Sequence, residues 1–293
     1  METNFNPARL IARIFPEVRQ KYDYRDVSLY ALSLGLGADP LDERQLRYVY
    51  EGTSNRGPLV VPTFANVLAY PGFWACEPDT GIDWRRLVHA EQEIALHLPV
   101  PPSGSMIGRN CVSALWDRGS EKGAFLQQRR EIFDEPSGAH IATVTQLSLL
   151  RGNGGFDKTV SEGAPPLPHP IPDRAPDATF DLRSMPQAAL FYRLLGDANP
   201  LHADPEVARS AGFERPILHG MATMGIAALS VISAVLNFDP SRFAGMRVRF
   251  TAPAYPGETF RTLMWVDGDV ISLRTIAMER DIIVLDHACV KIR

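Results

Sequence analysis

FYRLLGDANPLHADPEVARSAGFERPILHGMATMG, residues Phe191 to Gly225, decides how the chain is read. Within it an acid, Asp197, and a base, His202, bracket Asn199-Pro200. Proline biases the residue before it away from helix, so the pair is predicted on a loop. Asp204-Pro205 reads as a helix start, with a side-chain oxygen capping the first turn and proline at the first helical position; Gly212 reads as its stop. A loop pinned between two helices suits a water held between two titratable groups. General acid and base chemistry needs both within hydrogen-bond reach of one reacting molecule.

Downstream, Pro216 to Phe238 carries no Asp, Glu, Lys or Arg. By length it reaches membrane-helix size. Thr223, Ser230, Ser233 and Asn237 within it, and the absence of membrane-type Lys or Arg flanks, favour a buried helix instead. Gly220, Ala222, Gly225, Ala227 and Ala228 make that helix thin enough for a curved sheet to wrap. Strands are predicted after it at Met246 to Thr251, Thr259 to Val266, Val270 to Met278 and Ile282 to Ile292, separated by Pro-Gly and Asp-Gly turns. Antiparallel strands around one central helix make a hotdog.

The same order of features precedes this unit. Helices are predicted at 24 to 34 and at Asp42 to Tyr50, an apolar segment at Pro62 to Tyr70, and four strands between His89 and Arg151. Ala38-Asp39-Pro40-Leu41-Asp42 lies over Ala198-Asn199-Pro200-Leu201-His202, and the turn with Pro99, Pro102 and Gly104 lies over the one with Pro253, Pro256 and Gly257. The expected fold class is therefore α+β, a double hotdog made of two copies of a curved antiparallel sheet around a central helix. Its parts are a non-catalytic domain at 1–156, a proline-rich linker at 157–178 and a catalytic domain at 179–293. The copies differ where chemistry would sit. Gly37 stands opposite Asp197 and Asp42 opposite His202, so the first copy keeps the loop and lacks both groups.

The chain as a whole bounds its partners. A net charge of −4 and a pI near 6.0 give no basic field for nucleic acid. Cys76, Cys111 and Cys289 are odd in number and widely spaced, which argues against a disulfide framework and for a reducing cytoplasm. The N-terminal METNFNPARLIARIFPEV lacks an uninterrupted apolar core, and Val290-Lys291-Ile292-Arg293 is not a peroxisomal tripeptide.

These residues amount to a resemblance. YRLLGDANPLHADPEVARSAGFERPILHG resembles the hydratase 2 signature of the MaoC-like dehydratases. YRDVSLYALSLG, LRYVYEG, PTFANVLAY, HAEQEIALHLPVPPSG and RGNGGF resemble the non-catalytic half of the same two-hotdog enzymes. The match spans nearly the whole chain in order. The resemblance implies reversible addition of water to a trans-2-enoyl-CoA, giving a (3R)-3-hydroxyacyl-CoA, without metal or redox cofactor. It places the catalytic pair on Asp197 and His202, the supporting asparagine on Asn199, and the oxyanion-holding amide on Gly220. Coenzyme A enters only as part of the acyl thioester substrate, a homodimer is implied, and no membrane or nucleic-acid partner. The family's Arg-Gly-Ala-Gly-Gly-Phe is Arg151 to Phe156 here, with Asn153 in place of alanine.

Other readings remain open at this level. The same loop would serve acyl-carrier-protein thioesters or a dicarboxylic, mesaconyl-type acyl-CoA, and the fold alone would serve a non-catalytic acyl-CoA-binding protein. Asp204 is better explained as an N-cap than as a third catalytic acid, and His219 by packing or hydrogen bonding. His202, Asp204 and His219 lack the helical spacing of the common zinc hydrolases, so no metal is expected. Arg247 and Arg249 share one strand face and are candidates to meet the phosphates of coenzyme A.

Overall fold

A computed structural model describes residues 5–55, 57–156 and 161–293; the first four residues, Arg56 and the opening of the expected linker, 157–160, lie outside the described residues. In the first half the strands are β1 (Val18–Tyr22), β2 (Leu87–Leu96), β3 (Gly104–Asp117), β4 (Ala124–Asp134) and β5 (His140–Leu150). In the second they are β6 (Ala178–Arg183), β7 (Phe243–Phe250), β8 (Thr259–Asp267), β9 (Val270–Ala277) and β10 (Ile282–Ile292). All pair antiparallel in one ten-stranded sheet of order β1-β3-β4-β5-β2-β7-β10-β9-β8-β6. That order reads the same from either end once each strand is exchanged for its counterpart in the other half. The edge strands β1 and β6 were not expected from sequence, being short and only partly buried.

The helices are α1 (Pro7–Ile11), α2 (Tyr24–Ser33), α3 (Glu43–Val49), α4 (Ala188–Tyr192), α5 (Pro205–Ser210) and α6 (Gly220–Ala234). Local chemistry sets their starts. Asp23 and Asp26 close a capping box on α2, Asp42 caps α3, and Asp204 caps α5 by accepting from the N–H groups of Glu206 and Val207. The apolar run becomes helix at Gly220 and not at Pro216, because the Leu218 N–H donates 2.7 Å to the Ala254 carbonyl and holds that segment extended. α6 is buried from Met221 to Ile232, as its thin small-residue face allows. Among the described residues no helix is long and apolar enough to cross a membrane. The first copy departs from symmetry here. Where α6 sits in the second half, the first has a five-residue 3-10 turn, Pro62–Asn66, all of it buried.

The described part of the linker is strapped to the sheet. Leu115 N–H donates to Ser161 Oγ at 2.8 Å, Trp265 Nε1 to the Arg174 carbonyl at 2.7 Å, and the His287 Nδ1–H to the His169 carbonyl at 2.9 Å. Asn153, the departure in the glycine motif, is 3% exposed. Its side chain accepts from Asp83 N–H and donates to the Gly81 carbonyl, tying down the 81–83 loop.

The two halves meet where β2 pairs with β7. Glu91 faces Arg249 and Ala95 faces Gly245, so the register is symmetric about Glu93 and Arg247. Glu91, 5% exposed, accepts from Nε and Nη2 of Arg247 at 3.1 and 2.5 Å and from the same atoms of Arg249 at 2.9 and 2.5 Å. The two arginines expected to meet coenzyme A phosphates do share a strand face, and each turns the Nε/Nη2 edge of its guanidinium to one buried carboxylate across the seam. Glu91→Gln leaves two guanidinium groups without their anion. Because both keep some solvent, we expect a loss of about 2 kcal/mol, below the fully buried range, read as a lower urea midpoint at unchanged m-value.

Candidate active site

Asp197 lies on the loop after α4, followed by a 3-10 turn, Pro200–His202, that carries the base. Asn199 builds the turn: its Oδ1 accepts from Leu201 N–H at 3.0 Å, and its own N–H donates to Asp197 Oδ1 at 3.4 Å. The supporting asparagine therefore acts on the shape of the loop. His202 is 9% exposed, and its Nδ1 lies 2.9 Å from the Ile217 carbonyl. A carbonyl only accepts, so Nδ1 carries the proton and Nε2 presents a lone pair. Burial holds the imidazole below its ordinary pKa, and the Asp197 carboxylate partly opposes that.

His219 is stacked on His202, ring centres 3.7 Å apart and planes 25° apart. Its Nε2–H donates to the Asp197 carbonyl at 3.1 Å, while Nδ1 is buried without a partner. Burial, and next the neighbouring His202, push its pKa down to about 2. It is a neutral wall that fixes the backbone of the acid. Asp197, His202 and His219 bring their potential ligand atoms within 4.8 Å of one another. Atoms so grouped can hydrogen-bond a small polar molecule such as water.

Gly220 opens α6 with no side-chain cap, and among the described residues nothing accepts from its N–H. Helix N-termini concentrate unpaired donors and positive potential, so this amide can receive an oxyanion. A Cβ at Gly220 would stand 3.0 Å from the Phe250 ring, which in turn packs edge-on to His89 at 4.7 Å. The first half thus reaches into the site. His89 is held well below its ordinary pKa, near 4, by burial. Tyr192, buried, and Tyr70, partly buried, are raised in pKa chiefly by desolvation and sense the Asp197 charge, and the Tyr192 ring is 4.8 Å from that of His219. Sequence reasoning missed these four residues. Tyr192 lay inside the deciding stretch, but nothing local marks an aromatic residue as facing a site.

The symmetry-related position holds a cavity of about 420 Å³ lined in part by Val60, Pro62, Leu96, Val100 and Phe243. At equal steps from the seam centre Leu96 answers to Phe250 and Phe243 to His89. Pro58 to Pro62 occupies the place of Pro216 to Gly220, so proline stands for the glycine. Pro62 has no N–H to offer an oxyanion. Asp42, opposite His202 in sequence, is bound to Arg44 and caps α3. The cavity survived duplication without either chemical element.

Comparison with known proteins agrees with this division. A family model described as the MaoC-like domain matches residues 169–288, and one described as the MFE-2 hydratase 2 N-terminal domain matches residues 20–152. Enoyl-CoA hydratase ChsH3 of Mycobacterium tuberculosis is 38% identical over 272 residues, covering 91% of each chain. Peroxisomal enoyl-CoA hydratase 2 of Arabidopsis thaliana is 35% identical over 305 residues, covering 97% of this chain and 94% of its own. The crystal structure of a MaoC-like dehydratase from Phytophthora capsici superposes with a TM-score of 0.85 at 28% identity, over 98% of this chain and 99% of that one.

The tautomer assignment is directly testable. Nitrogen-15 NMR at neutral pH should show His202 protonated at Nδ1 and bare at Nε2, with a titration midpoint below the ordinary 6.5. A midpoint above that value would contradict the geometry.

Proposed function

Since the chain belongs to the MaoC-like dehydratase family, in the form that joins a MaoC-like domain to an MFE-2 hydratase 2 N-terminal domain, we propose that it is a hydro-lyase adding water reversibly to trans-2-enoyl-CoA to give (3R)-3-hydroxyacyl-CoA. The observation that carries the reading is the bare Nε2 of a buried, neutral His202 beside Asp197, next to the His219 ring that immediately precedes the unpaired Gly220 amide.

In this reading the thioester carbonyl accepts from the Gly220 N–H. Water, oriented by the Asp197 carboxylate, attacks C3 while His202 Nε2 takes its proton. Electron density moves from the C2–C3 double bond to the carbonyl oxygen, where the amide and the α6 dipole stabilise it. The imidazolium then returns the proton to C2 on the same face as the new hydroxyl, the enolate collapses to the thioester, and Asp197 stabilises the transient imidazolium. One water is consumed, and the enzyme ends as it began. Three unpaired cysteines support placing the protein in a reducing cytoplasm.

Removing one such proton-handling group costs ~10²- to 10⁴-fold. Asp197→Asn and His202→Gln should each lose that much kcat on crotonyl-CoA while melting like the parent, and near-normal turnover in either would end the assignment. Gly220→Ala forces Phe250 aside and should lower kcat more than it raises KM. Because His202 must be neutral to accept a proton and its pKa is lowered, kcat/KM should fall only below the ordinary 6.5. An acid limb above neutrality would argue against its role as base.

A further inference from the structure

The interior of the first half holds a cation that, among the described residues, no carboxylate neutralises. Arg130 on β4 is 4% exposed. Its Nη2 donates to the Asn66 carbonyl at 2.6 Å and its guanidinium lies 5.5 Å from the centre of the Tyr70 ring. Among the described residues no carboxylate pairs with it, and its Nε–H has no acceptor. Asn110, directly across on β3, buries both amide atoms without a partner. The buried hydroxyls of Thr63 and Tyr192 flank that of Tyr30.

An interior meant only for a hydrocarbon chain would not be furnished this way. Each unmet polar group costs free energy on burial, and an unpaired buried charge costs more. All but one of these groups can donate: a guanidinium N–H, three hydroxyls and an amide NH₂, against one amide oxygen that only accepts. The guest that satisfies such a set is rich in acceptors and negative. The cluster also adjoins the catalytic elements: Asn66, whose carbonyl accepts from Arg130, donates its Nδ2–H to Met224 Sδ of α6, and Tyr30 packs on Tyr192 at 5.8 Å, which packs on His219 at 4.8 Å. Burial lowers Arg130 only to about 10, so it stays charged near neutrality. Beside Tyr70 the interior keeps a further small cavity, about 20 Å³, with Gln128 and Gln146 in its wall.

Resting on the hydratase reading above, we propose that Arg130 is a specificity determinant that receives a carboxylate carried by the acyl chain, so that the preferred substrate is an enoyl-CoA with an anionic acyl end. Asn110 and the three hydroxyls complete the carboxylate's hydrogen bonds, and the Tyr70 ring covers the guanidinium.

The experiment compares hydration of trans-2-enoyl-CoA substrates matched in length and ending in methyl, carboxamide or carboxylate. The wild-type protein should favour the carboxylate by ~10- to 100-fold in kcat/KM, the scale of a charge-assisted hydrogen bond. The carboxamide should recover little of it. Arg130→Met should abolish the preference and Arg130→Lys restore part. Preference for the methyl-ended substrate, equal use of amide and carboxylate, or equal losses on all three in Arg130→Met would overturn the proposal. Calorimetry with the saturated thioesters reads the same preference without turnover. If no enoyl-CoA is hydrated but the carboxylate-ended thioester still binds tighter, the hydratase reading falls and Arg130 keeps its role.

Discussion

The pairing of β2 with β7 is the constraint on which the rest depends. Without it each half is a five-stranded sheet with an exposed edge, a liability that proteins cover or pair. With it, a symmetric register sets two copies of one scaffold back to back, and side chains from one half reach the other's helix start. His89 against Phe250, over Gly220, is a contact of that kind. The buried Glu91 between Arg247 and Arg249 adds directionality to the seam. A register slip would strand a carboxylate in the interior, a heavier penalty than losing a few apolar contacts.

A symmetric frame makes two equivalent positions, and the chain treats them differently. One has a helix that starts at a glycine with its amide unspent, beneath a loop with an acid and a base. The other has a proline at the matching place, a short 3-10 turn instead of a helix, and an acid already engaged by a cap. Near that short turn Arg130 donates to the Asn66 carbonyl and lies over the Tyr70 ring.

Proton handling at the surviving position is arranged by backbone carbonyls. Ile217 takes the Nδ1–H of His202, and the Asp197 carbonyl takes the Nε2–H of His219, so one imidazole is left with an outward lone pair and the other becomes an inert stacking partner. Both rings are neutral because both are buried; the acid beside them only moderates that effect for His202.

Much of this was already in the amino-acid order. Turn residues and alternating apolar positions placed the longer strands to within a few residues. Caps at Asp42 and Asp204 marked helix starts, and the spacing of Asp197, Asn199 and His202 singled out the candidate loop, because each of these signals acts over a few neighbours. The start of α6 escaped, since a hydrogen bond to Ala254, far along the chain, keeps Pro216 to His219 extended. So did the fate of Arg247 and Arg249: a strand face is local, but the carboxylate opposite them depends on which strand lies alongside and in which register. The stacking of the two histidines, the reach of His89 and Tyr70 into the site, and the isolation of Arg130 were decided by the tertiary structure alone. Burial and unmet hydrogen bonds are properties of the whole packed interior, and no window of sequence contains them.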